Sequence, residues 1–228
     1  MLKMEDIIGL EIVSSDARIV GMVEGVALDV ENWVIPALRI GVKKGLEETI
    51  GAKKPLFSTA KILVKTDSVD SVSDTITLKI PLSEVKNAVV EEGAVLMTAA
   101  DIVGKRVICR KARQIGLAEN IIFSPDKEWK VPFIEVRLDK DAIDLLNVKK
   151  PLLATPLIKI QTDDIKTIGD MIMLKIDADE LRDFLEKKPH KKDIDAKKTQ
   201  TKVREAPETE RTSIERQGSE TPEYRPRL

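Results

Sequence analysis

The chain has 228 residues, room for one large or two small domains, with 42% hydrophobic and 34% charged residues and a formal net charge of −1. That balance, with only 3% aromatic residues, argues against a nucleic-acid surface, which needs a basic excess and stacking rings. Cys109 is the only cysteine and His190 the only histidine, too few for a zinc or transition-metal site or for Ser-His and Cys-His nucleophile pairs, so neither metal nor cofactor is expected.

No apolar run approaches the roughly 20 residues of a membrane helix. Residues 1–6 carry acids early and hold no apolar signal core. A cytoplasmic protein without direct membrane insertion is the expectation.

In chain order, residues 10–13 read as a first strand and Ser14-Ser15-Asp16 as its turn. Residues 21–28 alternate apolar with polar or small residues, as a half-buried strand does. A polar turn over residues 29–32 leads into a strand over 33–42, headed by Trp33 and interrupted by Pro36. Proline cannot donate to a ladder, so this strand is expected at an edge or at a bulge. Residues 46–50 form a helical piece closed by Gly51, and 62–65 and 76–80 are short strands. Pro81 opens a helix with Leu82, Val85 and Val89 facing inward. The linker over 91–97 holds Val95, Leu96 and Met97 in succession, so it is expected to pack rather than to flex.

The same pattern then starts again. Asp6-Ile7-Ile8-Gly9 recurs as Asp101-Ile102-Val103-Gly104, and Val20-Gly21-Met22-Val23-Glu24 as Ile115-Gly116-Leu117-Ala118-Glu119. One extra residue enters near 126–128. Beyond it Trp33 aligns with Trp129, Pro36 with Pro132, Lys53-Lys54-Pro55-Leu56 with Lys149-Lys150-Pro151-Leu152, and Thr66-Asp67 with Thr162-Asp163. The second copy therefore has strands over 105–108, 116–123, 129–138, 158–161 and 172–176, and a helical piece over 141–146 closed by Asn147. Its closing helix starts at Asp177-Ala178-Asp179-Glu180 and shows Leu181, Phe184 and Leu185 as an apolar stripe.

Five or six short strands in roughly 80 residues would leave edges and one face bare as a flat sheet; closure removes both problems. The expected fold is mainly β: two tandem small barrels, each with short helices. Their bounds are 1–90 and 98–187, joined by the packed linker 91–97 and followed by a disordered charged tail over 188–228.

Few side chains invite a chemical role. Gly45-Leu46-Glu47-Glu48-Thr49-Ile50-Gly51-Ala52-Lys53 lacks the spacing of a phosphate loop and reads as a capped helix. The lysine pairs 53–54 and 149–150 read as solvated loops, Asp139, Asp141 and Asp144 as the start of one short helix, and Cys109 as a buried thiol in a strand. Trp33 and Trp129 either cap the barrel mouths as core or anchor an interface, since Trp is enriched at binding hot spots. The candidate contact surface is accordingly Trp33, Pro36, Trp129 and Pro132, with Tyr224 in the terminal Pro222-Glu223-Tyr224-Arg225-Pro226-Arg227-Leu228 as a docking peptide or part of a solubilising tail.

Each copy resembles the PRC-barrel family, shared by the photosynthetic reaction-centre H subunit and ribosome-maturation factors. The resemblance rests on the opening Asp6-Ile7-Ile8-Gly9-Leu10-Glu11-Ile12 and Asp101-Ile102-Val103-Gly104-Lys105-Arg106-Val107. It rests too on the glycine-led strands from Val20 and Ile115, and on the closing stretches 69–76 and 165–172, and it covers residues 4–185. The closing pattern and the Lys-Lys-Pro before it look like the archaeal branch, whose tandem members include division proteins working with SepF and FtsZ. The resemblance implies a non-enzymatic scaffold or adaptor. Its expected partners are itself or another PRC-barrel protein, together with SepF, giving oligomers or filaments at the division site. The alternative it implies is a ribosome- or RNA-associated factor like the maturation-factor branch.

Overall fold

The computed structural model describes residues 1–53, 58–90, 96–149 and 155–186. The tail, with Tyr224 and His190, lies outside them, as does most of the linker. The two halves belong to one compact unit, Met1–Lys188.

The first half runs β1 (Leu2–Lys3), α1 (Met4–Ile7), β2 (Glu11–Val13), β3 (Ile19–Asp29), β4 (Val34–Val42), β5 (Lys61–Lys65), β6 (Val69–Val72) and β7 (Ile76–Leu78), then a 3-10 helix, Leu82–Ala88. The second runs β8 (Met97–Thr98), β9 (Arg106–Ile108), β10 (Gln114–Ser124), β11 (Lys130–Leu138), α2 (Lys140–Leu145), β12 (Leu157–Gln161), β13 (Ile165–Ile168), β14 (Met171–Leu174) and α3 (Ala178–Glu186). Each half pairs its strands alike: β6-β7-β2-β3-β4-β5 and β13-β14-β9-β10-β11-β12, with the β2–β7 and β9–β14 pairs parallel.

The mainly β fold is as expected, but the strands form one 14-stranded sheet, each half of which curls into a half-barrel. Among the described residues no ladder joins β5 to β6 or β12 to β13. A 3-10 turn, Thr66–Ser68 or Thr162–Asp164, carries the chain across that seam instead. Inside each curl the alternating aliphatics meet: Ile12, Val20, Leu38, Ile40, Val64 and Ile76 in one half, Val107, Ile115, Val136, Ile160 and Ile172 in the other, all essentially without solvent contact. Burying one such side chain is worth about 1.5–3 kcal/mol, so these positions hold the curl.

Gly21 and Gly116 recur for a steric reason. They sit where β3 crosses β4 and β10 crosses β11. A Cβ at Gly116 would lie 2.8 Å from the Arg137 carbonyl carbon and closer still to its oxygen; one at Gly21 would strike the Gly41 carbonyl and come within 2.9 Å of Ile40 Cγ2.

Two local expectations are corrected, and a third is resolved between its alternatives. Residues 46–50 make a single turn, with the Ile50 amide donating to the Leu46 carbonyl, rather than an assigned helix; Gly51 (φ +70°) nonetheless closes it left-handed, as Asn147 (φ 52°) closes α2. The helix after Pro81 is 3-10, because its buried residues Leu82, Val85 and Ala88 recur every third position; Val89 leaves it extended. The proline-bearing strands are not edges: β4 lies between β3 and β5, and β11 between β10 and β12. Pro36 and Pro132 are accommodated at the register shifts opposite Ala27/Asp29 and Ile122/Ser124, so the bulge alternative is the one the fold uses.

The two closing helices are tied down with opposite polarity. In the first half the turn supplies the acid: Asp16 Oδ1 accepts from the Leu82 amide at 3.0 Å. In the second the helix supplies it: buried Asp177 takes the Arg110 guanidinium at 2.7 Å and the Lys111 amide at 3.1 Å. The guanidinium first, then burial in opposition, set the Asp177 carboxyl below its usual range; the Ser14 hydroxyl does likewise for Asp16.

Candidate interface at the Trp–Pro strands

Strands β4 and β11 meet at their first residues, Val34 opposite Lys130 in antiparallel register. Two backbone bonds flank that pair: Ile35 N–H donates to the Trp129 carbonyl at 3.0 Å, and Val131 N–H to the Trp33 carbonyl at 2.8 Å. Since Trp33 aligns with Trp129, and Ile35 with Val131, each half does to the other what the other does to it. The contact is self-complementary, the pattern of a twofold interface.

The arms repeat the exchange. Strand β1 does not join its own half; it pairs with β10, Leu2 opposite Phe123 and Lys3 opposite Ile122. Strand β8 pairs with β3, Met97 opposite Leu28 and Thr98 opposite Ala27. Leu2 aligns with Met97 and Leu28 with Phe123, so both arms cross in corresponding register. Bulges at 23/25 and 118/120 bend the 11-residue strands β3 and β10; one edge of each stays on β4 or β11 throughout, while the other edge carries β2 or β9 of its own half near its start and the other half's arm near its end.

The two tryptophans do not end up alike. Both backbones are left-handed, at φ 52° and 56°, a conformation that costs a non-glycine residue about 1 kcal/mol or more and persists only where surroundings impose it. Trp129 is buried and stacked on Phe123, centroids 5.6 Å apart and planes 11° apart, while Trp33 is half-buried. Trp129 is therefore core, and it stands where β11 meets β4. Pro36 and Pro132 are half-buried beside it. Pro36 lines a groove of about 430 Å³ with Ile35, Thr66, Asp67, Leu96 and Glu128.

Sequence reading missed the polar groups that fix this junction. Thr66 Oγ1 donates to the Ile35 carbonyl at 2.8 Å and Thr162 Oγ1 to the Val131 carbonyl at 2.8 Å, each satisfying a carbonyl that the bulge frees. Their recurrence was the available signal. Lys3 Nζ reaches buried Glu135 at 2.9 Å, a hydrogen bond that raises the lysine above its ordinary value, and the Met4 amide donates to buried Asn120 Oδ1 at 3.2 Å. Behind β8, Asp101 caps Thr98 through both its amide (2.8 Å) and its hydroxyl (2.7 Å), which holds that carboxyl below its usual range. Cys109 is buried. Among the described residues no group of three His, Cys, Asp or Glu side chains is placed to hold a metal ion, and no helix is long and apolar enough to cross a membrane.

Comparison with known families finds a match in the first half: residues 1–85 match the PRC-barrel domain. No curated protein matches the chain. Among solved structures, the chain is similar to RimM of Pseudomonas aeruginosa, assigned to 16S ribosomal RNA processing, with 10% identity over 69% of this chain and 98% of that one and a TM-score of 0.26. The matched residues thus supply one complete side of the junction, and the second half repeats their strand order.

Proposed function

We propose that the chain is a non-catalytic scaffold that assembles through protein–protein contacts of its barrels, in archaeal cell division built on SepF and FtsZ. The observation that carries this reading is the self-complementary junction. A module that recognises its own kind through exchanged strands and a sealed tryptophan is built for protein contact, and two such modules in one chain present related outer surfaces twice. The PRC-barrel domain at residues 1–85 supports the same reading, since the family resemblance implies interaction rather than catalysis. The division setting is supported by the tandem layout and the archaeal-type closing stretches. In this reading the protein is cytoplasmic and reaches the membrane only through its partners.

Sedimentation velocity of the full chain, alone and with purified archaeal SepF and FtsZ, tests it. The expected result is self-association or a complex with SepF that sediments faster than either component. A strict monomer with no SepF complex overturns the proposal, and filter retention of RNA with a steep salt dependence would move the assignment to the RNA-associated alternative.

A further inference from the structure

The two halves treat one sheet edge differently. In β5, inward-pointing backbone groups pair with β4, and the outer edge is strapped by the chain's own continuation. Val89 bridges antiparallel to Val64, and the Val90 amide donates to the Leu63 carbonyl at 2.8 Å. The strap exists because the 3-10 helix ends at Ala88 and the backbone turns extended at Val89 (φ −72°, ψ 132°). In the second half β12 occupies the place of β5, with Lys159 and Ile160 aligned to Leu63 and Val64. Here the residues aligned to Val89 and Val90 are still inside α3, which runs as a continuous α-helix to Glu186.

The register fixes which groups are left over. Ile134 opposes Ile160, Val136 opposes Ile158, and the Leu138 amide donates to the Pro156 carbonyl. The even-numbered residues of β12 therefore bond β11, and Leu157 and Lys159 turn their N–H and C=O outward. Among the described residues no backbone bond reaches those outward groups. Leu157 marks the same spot: it is 45% exposed, one of the few large apolar side chains so placed, and it stands where β5 has Lys61, which is paired with Glu24 at 2.8 Å. An open edge with an exposed leucine attracts another strand.

We propose that the outer edge of β12 is a docking site for an extended, apolar, β-branched peptide segment of a partner protein, added antiparallel as an extra strand. The bound form is displayed within the molecule: Val89-Val90 on β5 is that complex in the first half, two successive β-branched residues with one amide on the aligned carbonyl. Main-chain bonding to Leu157 and Lys159 supplies affinity, and contact with Leu157 selects an apolar residue where β5 would select against it. The inference rests on the protein-contact reading and names the class of partner segment.

The test is titration of the isotope-labelled full chain with a blocked peptide of the strap sequence, Lys86-Asn87-Ala88-Val89-Val90-Glu91, followed by amide shifts. Saturable shifts confined to β12 and its β11 neighbours are expected. Lys159→Pro removes an outward N–H while leaving the bonds to β11 in place, and is expected to weaken binding about tenfold or more. Leu157→Lys, which copies the first half, is expected to weaken it several-fold with an unchanged melting temperature. No shifts at millimolar peptide, shifts at β5 instead of β12, or slow hydrogen exchange at Leu157 and Lys159 in the free chain would each overturn the proposal. A chain that fails these measurements yet still complexes with SepF leaves the scaffold reading intact, so the two fail separately.

Discussion

Trp129→Ala, set against Trp33→Ala, measures how much of the molecule's stability resides at the junction. The two residues occupy corresponding positions with the same left-handed backbone, so backbone strain is common to both substitutions and cancels in the comparison. What differs is packing. Trp129 is 6% exposed and stacked on Phe123, whereas Trp33 is half-buried. Emptying a buried tryptophan site costs about 3–5 kcal/mol, of which the aromatic stack supplies roughly 0.5–1.5 kcal/mol. Trp33, only partly buried and without an aromatic partner among the described residues, is expected to cost about half as much. For a folded unit of this size each kcal/mol lowers the melting temperature by about 2–4 °C, so Trp129→Ala is expected to lower it by roughly 10 °C and Trp33→Ala by roughly 5 °C. Thermal melts followed by far-ultraviolet circular dichroism give both melting temperatures, urea unfolding gives the free energies, and the remaining tryptophan reports each variant by fluorescence. Equal losses, or a larger loss at Trp33, would refute the argument that the Phe123 side seals the junction.

Two further outcomes follow from the geometry. Gly116→Ala drives a methyl group into the Arg137 carbonyl and is expected to destabilise by about 1–3 kcal/mol or more, with Gly21→Ala behaving alike; melting temperatures indistinguishable from the parent would contradict the crossing described for β10 and β11. Asp177→Asn tests the tie between α3 and the Arg110 turn. Because Arg110 depresses the folded carboxyl, its contribution is fully present above the unfolded value near 3.9 and is lost as pH falls through the lower folded value. The gap in urea midpoint between parent and variant is therefore expected to hold steady from neutral pH to about pH 5 and to close in stronger acid; a gap independent of pH would remove the charge from the explanation.

Much of the fold was legible because local and global signals agreed. The recurrence of Gly21 as Gly116 and of Pro36 as Pro132 carried real constraints, a strand crossing and a bulge, and the stop residues Gly51 and Asn147 sit where a left-handed cap is needed. The arms were not legible. Leu2-Lys3 and Met97-Thr98 are too short to show a period, and their partners lie on the opposite half, so nothing local announces them. Lys3 and Glu135 are ordinary surface residues by type; only the fold brings them to 2.9 Å. The candidate Trp–Pro strand was found for its composition, but its backbone is engaged within the chain: the Trp33 and Trp129 carbonyls take the Val131 and Ile35 amides, and the carbonyls freed by the bulges take the Thr66 and Thr162 hydroxyls. Whether Leu82 opens a 3-10 or an α-helix turned on the spacing of its buried residues, which a tolerant apolar stripe does not resolve.

At the centre of the junction a valine faces a lysine. Were the second half to meet an identical molecule there, Lys130 would stand directly opposite Lys130, and like charges across a ladder repel. Covalent fusion of two related modules removes that constraint: a residue on the axis need no longer tolerate its own image. Each position can then change on one side alone, and Lys3 can find Glu135 while its counterpart Thr98 stays neutral. The chain keeps the economy of a symmetric dimer and gains the freedom to make its two outer faces different, as the edge of β5, strapped by Val89 and Val90, and the edge of β12, unpaired among the described residues, already are.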